Sequence, residues 1–251
     1  MNLTGVVILA CVVIAFYMYR KVKRFPIMMM EQHLLNRDYQ KAIDALNSAS
    51  IVKVMSAFEK DQKILKIYFM WGKKALFIEQ LNKMVETNYP KHQKQKVDLF
   101  THWFHNFLAY DAGEFAQLFL DAINKVDEKE AQFCKLCYDV LIAKQDHLET
   151  LMSHNQQYKL VDLKSAMYLY LIAMSLDQKQ ERKQAATYFN HALIQFETLR
   201  IYFYYDKAKK YIETYGDSSL LYYAKKSENK QQYRFTSEDF KNMYQFGKKK
   251  R

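Results

Sequence analysis

The chain has 251 residues, 50% hydrophobic and 26% charged, a balance that excludes disorder over most of its length. Five glycines and two prolines stand against 20 tyrosines and 17 phenylalanines, which leaves little for a turn-dense sandwich or a Gly-rich phosphate-binding fold and favours an all-α chain. The net charge of +11 gathers at the ends: Arg20, Lys21, Lys23 and Arg24 contribute +4, residues 225–251 contribute +6 and residues 25–224 only +1, which argues against a broad cationic nucleic-acid face on the folded body.

Leu3 to Tyr19 is an uncharged run of seventeen residues, close to the roughly 20 that span a bilayer as a helix. It closes on bulky Phe16, Tyr17, Met18 and Tyr19 and is followed, rather than preceded, by the basic cluster, the reverse of a cleaved signal peptide. Residues 1–24 therefore read as a single-pass anchor, with Tyr17 and Tyr19 in the interfacial aromatic belt and Arg20, Lys21, Lys23 and Arg24 at its cytosolic end. That places the N-terminus outside the cell membrane and the body in the cytoplasm, although the reverse orientation stays open under a statistical rule. Cys11 reads as a small apolar residue inside the span. With Cys134 and Cys137 the cysteine count is odd, which offers no complete disulfide framework and suits a reducing compartment.

Over residues 25–215 apolar side chains recur three and four apart, which predicts helices near 27–36, 39–49, 62–71, 74–88, 97–110, 114–126, 130–143, 146–154, 163–177 and 181–213. Breaks fall at Asn36-Arg37-Asp38, Tyr89-Pro90, Asp111-Ala112-Gly113 and Tyr215-Gly216-Asp217, and such short links favour antiparallel neighbours. The aromatic stretch Ile201-Tyr202-Phe203-Tyr204-Tyr205 is too dense to be wholly exposed. It either caps the end of the array or offers a groove to a partner.

Ala42, Leu46 and Ala49 are spaced four and three apart, and Ala185, Phe189 and Ala192 repeat that spacing. A small residue lets two helices approach, a large one fills the groove, and a second small one admits the next pair. This resembles the A-x3-F-x2-A pattern of the second helix of a tetratricopeptide repeat. Counting back from Ala185, the first-helix positions of that family fall on Leu169, Ile172, Ala173 and Leu176, all apolar. Gly113-Glu114-Phe115 resembles the family's inter-helix turn, although Leu118 stands where a small residue belongs. The family's proline at the end of the second helix is absent from both good units. From Ala42 to Ala185 is 143 residues, about four periods of ~36 against the family's 34. Roughly five degenerate repeats then cover residues 26–213, with an irregular helical bundle as the other reading. The resemblance implies a solenoid of helix hairpins whose first helices line a concave face that binds peptide segments or partner helices, so that the chain acts as a scaffold or adaptor.

His102 and His105 share one predicted helix face and Cys134 and Cys137 another. Together they make a Cys2His2 zinc set, but the order and the gap between the pairs fit no familiar finger, so ordinary core positions are the stronger reading. The Cys134/Cys137 pair lacks the strand–helix context of a redox motif. No Gly-rich nucleotide loop, Gly-x-Ser-x-Gly elbow or His-Glu-x2-His run occurs, and Asp111, Asp121 and Asp139 read as solvated helix faces. No enzyme activity, cofactor, metal or small-molecule substrate is expected.

Residues 216–251 form a basic tail ending in Lys248-Lys249-Lys250-Arg251. It is either a solvated terminus or an electrostatic contact for anionic lipid or RNA. The sequence thus predicts a membrane-anchored helical-repeat scaffold for protein partners, held to the bilayer through residues 3–19. The alternative is a membrane-tethered nucleic-acid or ribosome binder that uses its basic ends.

Overall fold

A computed structural model of the chain describes residues 25–215 except 159 and 161, together with position 13. The described residues are helical with no strand, and the chain divides into two compact units at the Lys96–Val97 link.

The first unit holds α1 (residues 25–35), α2 (Tyr39–Asn47), α3 (Ala49–Val52), α4 (Ala57–Trp71), α5 (Lys74–Glu86) and the first turn of α6 (Gln93–Ala109). Helix α4 begins five residues before the hydrophobic periodicity indicates. Ser56 and Glu59 form a capping box there: the Ser56 hydroxyl accepts from the Glu59 N–H at 3.2 Å, and Glu59 Oε2 accepts from the Ser56 N–H at 2.9 Å. Two orphan amides are satisfied before the apolar stripe starts. The helix stops at Gly72, whose φ of 73° is the left-handed conformation that a side chain would strain. Met30, Ala42, Ile43, Leu46, Ile51, Ile64 and Ile67 form one core cluster of this unit, and Phe58, Phe69, Phe77 and Tyr89 are buried in the unit as well.

A single buried carboxylate joins α4 to α5 and the segment beyond. Asp61 accepts from Lys83 Nζ at 2.7 Å, Gln80 Nε2 at 3.1 Å and the Tyr89 hydroxyl at 2.7 Å. Burial by itself raises its pKa, but the hydrogen bonds from Lys83, Tyr89 and Gln80 outweigh that and hold it below its ordinary value. Nearby, the largely buried Lys96 donates to the carbonyls of Val85 and Thr87, both at 3.1 Å, and so satisfies the end of α5.

The second unit continues α6 and adds α7 (Gly113–Val126), α8 (Glu128–Leu141), α9 (Leu148–Gln157), α10 (Leu163–Gln178), α11 (Arg182–Thr198) and α12 (Tyr202–Thr214). Asp127 and Asp162 cap α8 and α10 by accepting the Glu130 and Ser165 amides. Helix α10 is buried on every side from Ser165 to Leu176 and packs against α8, α9 and α11, as a helix apolar all round must. An aromatic stack joins α6 to α7: Trp103 lies 5.6 Å from Phe119 at 4°, and Phe107 lies 5.0 Å from Phe115 at 18°.

The predicted helix 181–213 is two helices. Arg200 takes a φ of 59°, while the Ile201 N–H returns to the Phe196 carbonyl at 2.8 Å and the Arg200 N–H to that of Glu197 at 3.0 Å. This is a helix-ending turn built without glycine. Arg37, Asp111, Lys144 and Gln180 also have positive φ just beyond helix ends. The consequence for the aromatic stretch is large, because α12 turns back across the unit. Tyr204 is fully buried and meets α6, α10 and α11 together: its hydroxyl donates to the His105 carbonyl at 3.3 Å, and its ring lies 5.5 Å from those of Tyr170 and Phe196. Lys207 pairs with Asp111 at 2.7 Å. Neighbouring helices pack in sequence, as in helical repeats, with this long-range closure added.

Two stability predictions follow from this packing. Asp61→Ala leaves Lys83, Gln80 and Tyr89 without their shared acceptor, and urea unfolding is expected to show a loss of about 3 kcal/mol. Because the folded pKa of Asp61 is depressed, that stabilisation is complete above the ordinary carboxylate value near 3.8 and disappears as the pH falls below it. Ala192→Leu, on the fully buried face of α11, is expected to cost ~1 to 3 kcal/mol by overpacking. A neutral thermal melt for Ala192→Leu would refute the helix register proposed for this hairpin.

Candidate functional site

The residues assigned to repeat packing divide between the two units. In the second unit Leu169, Ile172, Ala173 and Leu176 on α10 and Ala185, Phe189 and Ala192 on α11 are all buried, and the two helices pack against each other. Phe189 lies 5.7 Å from Tyr170 and stacks at 5.3 Å on Tyr211. In the first unit Ala42 and Leu46 are buried, but Ala49 is exposed. Ser48 takes an extended ψ of 147° and ends α2, so Ala49 opens a separate short helix and leaves the face that spacing alone assigns to it.

Tyr17, Tyr19, Arg20, Lys21, Lys23 and Arg24, and the tail residues Lys248, Lys249, Lys250 and Arg251, lie outside the described residues. So does the predicted span 3–19, apart from Val13. Among the described residues no helix is long and apolar enough to cross a membrane.

The histidine and cysteine pairs do not form one site. His102 is exposed while His105, one turn on, is buried. Cys134 and Cys137 are free and buried. Burial pushes the thiols of Cys134 and Cys137 up, with the Glu130 carboxylate adding to the first and Cys134 to the second, so neither offers the thiolate that metal binding or redox exchange uses. Among the described residues no group of three or more His, Cys, Asp or Glu is arranged to hold a metal ion.

His105 serves as a tie between helices. Its Nδ1 is 3.2 Å from the Tyr204 hydroxyl, which already donates to the His105 carbonyl. Nε2 is buried with no hydrogen-bond partner among the described residues. Burial, then the nearby His102 and Lys164, lower its pKa from 6.5 to about 3. As pH falls, the unfolded chain takes up this proton first, so stability is full above pH 6.5 and is lost between 6.5 and about 3. His105→Phe removes that loss, worth about 1.4 kcal/mol per pH unit. Thermal melts from pH 7 to 5 are expected to fall more steeply for the parent chain than for the variant.

The open surface of interest lies between α7 and α8, a groove of about 330 Å³. Gln117, Asp121 and Asn124 line it from α7, and Glu128, Gln132 and Lys135 from α8. Both triplets have the spacing i, i+4, i+7, so each forms one stripe on its helix. Leu120 and Ala131 supply apolar surface between them, and Asp139 adds a third carboxylate. Gln117 Nε2 donates to Asp121 Oδ1 at 2.9 Å and Asp139 lies 3.8 Å from His147 Nε2; the amides of Asn124 and Gln132 each offer a donor and an acceptor suited to a polypeptide backbone, while three carboxylates against one lysine favour a cationic residue. Sequence reading passed over this groove by treating Asp121 and Asp139 as separate solvated positions. The matched stripes were the available signal, but only Asp127, the single residue between α7 and α8, brings them together. The groove joins the second helix of one predicted hairpin to the first helix of the next, so first helices alone do not line it.

No protein-family model, curated protein or solved structure matches the chain. The likeness to tetratricopeptide repeats therefore rests on residue spacing and on the packing of neighbouring helices.

Proposed function

We propose that the chain is a membrane-anchored helical scaffold of the tetratricopeptide-like kind, which captures protein partners at the cytosolic face of the cell membrane. The α7–α8 groove carries this reading. Its paired stripes of Gln117, Asp121 and Asn124 and of Glu128, Gln132 and Lys135 present alternating amides and charges along two helices, which suits an extended polypeptide segment bearing a basic residue. The anchor rests on the uncharged run Leu3–Tyr19 followed by Arg20, Lys21, Lys23 and Arg24, which also directs the N-terminus outward and the helical units into the cytoplasm. A role without chemistry or cofactor is supported by Cys134 and Cys137, buried and held as thiols, and by His105, buried and neutral.

The test is cross-linking in intact cells, detergent extraction and identification of the proteins retained. Asp121→Lys with Glu128→Lys reverses the groove charge at exposed positions, and partner recovery is expected to fall about tenfold or more. Removal of residues 225–251 is expected to leave recovery intact. If only ribosomal proteins or nucleic acid are recovered, and are lost with that tail, the scaffold reading falls and the basic ends are the binding element.

A further inference from the structure

Residues 25–30 read Phe-Pro-Ile-Met-Met-Met, so the first part of α1 is apolar on every side. One side is used: Met30 is fully buried in the core of the first unit, with Ile27 and Leu34 packed beside it. The opposite side is uncovered. Phe25 is 60% exposed, Met28 61%, Met29 37% and Leu35 85%, and their spacing of i, i+3, i+4 and i+10 keeps them on one face, which the exposed Glu31 and Gln32 interrupt before Leu35. A helix with two apolar faces needs two apolar neighbours, and the protein core supplies one of them.

The charge of the chain segment that holds this helix indicates the other. Residues 25–224 are almost neutral as a whole, but the unit boundary divides them. Residues 25–96 carry twelve basic and seven acidic side chains, net +5, whereas residues 97–224 carry thirteen and seventeen, net −4. Four further basic residues, Arg20, Lys21, Lys23 and Arg24, immediately precede the apolar stripe. An apolar face continuous in sequence with a cationic cluster matches the two layers of an anionic bilayer surface, acyl chains beneath and phosphate headgroups above. Methionine and phenylalanine suit that irregular boundary. A protein partner or a second copy of this chain would have to supply both an apolar groove and an acidic rim.

We propose that the outer face of α1 is a membrane-contact surface: Phe25, Met28, Met29 and Leu35 enter the interfacial layer of an anionic bilayer, and the basic excess of residues 20–96 meets its headgroups. This rests on the reading that residues 3–19 tether the chain, and it adds that the first unit lies on the membrane. The groove of the second unit, in the acidic part of the chain, keeps its own task of partner capture.

The test uses the full-length chain in lipid nanodiscs of phosphatidylcholine with phosphatidylglycerol. A polarity-sensitive fluorophore is attached through Met28→Cys or Leu35→Cys, and through the exposed Glu79→Cys as the comparison position. Quenching by a nitroxide carried in the lipid is expected to be about threefold or more stronger at 28 and 35 than at 79. A second variant, Met28→Asp with Met29→Asp, alters only surface positions. It is expected to remain in the discs while the label at 35 loses its quenching. If the chain enters the discs but 28 and 35 quench no more than 79, the contact surface is refuted while the anchor stands. If the chain stays out of the discs, both readings fall. A shift at 28 on adding RNA but not anionic lipid, or one that grows with protein concentration in detergent, assigns the face to nucleic acid or to a second copy and overturns the proposal.

Discussion

The second unit depends on the burial of Tyr204. Its ring occupies the space where α6, α10, α11 and α12 converge, and its hydroxyl meets the backbone and the imidazole of His105, 99 residues earlier in the chain. An aromatic ring of this size removes a large apolar area from water, but its hydroxyl must be paired or the gain is lost. His105 provides that pairing from a neutral ring, whose pKa its burial forces down. The same contact explains why α10 can be apolar on all sides. With α12 folded back, Tyr170 faces Phe189, Phe196 and Tyr204, and no side of α10 remains for solvent.

The two units solve the same burial problem differently. The first buries an aliphatic cluster together with the rings of Phe58, Phe69, Phe77 and Tyr89 and holds α4 to α5 through a carboxylate with three donors, a network whose strength comes from the charge of Asp61 and from the burial of Asp61, Gln80 and Tyr89. The second relies on stacked rings, from Trp103, Phe107 and Phe119 to Tyr170, Phe196 and Tyr204. Their surfaces diverge as well. One joins an uncovered apolar stripe to a basic excess, and the other has an acidic balance and a polar groove. In the tethered scaffold proposed above, the first surface would meet lipid and the second polypeptide.

Helix existence was legible in the sequence because apolar residues recur at helical intervals. In the α10–α11 hairpin Leu169, Ile172, Ala173, Leu176, Ala185, Phe189 and Ala192 are all buried, although on α10 burial extends to every side and singles out no face. The same rule misplaced Ala49. Spacing assumes a continuous helix, and the extended Ser48 breaks it without glycine or proline. Arg200 ended α11 equally unannounced, through a left-handed backbone that many residue types can adopt when the following amides find partners. The start of α4 was underestimated for a related reason: the Ser56–Glu59 box extends a helix beyond its apolar stripe.

The sequence by itself determined the all-helical class, the hydrophobic run before Arg20, the concentration of charge at the two ends and the packing face of α11, because composition and periodicity act over a few turns of chain. Only the tertiary structure decided that α12 returns to α6, that Asp61 is the shared acceptor of the first unit, that the stripes of α7 and α8 face one groove, and that the near-neutral body divides into a basic unit and an acidic one. Each of these depends on which distant segments are brought together, and a one-dimensional pattern does not record that choice.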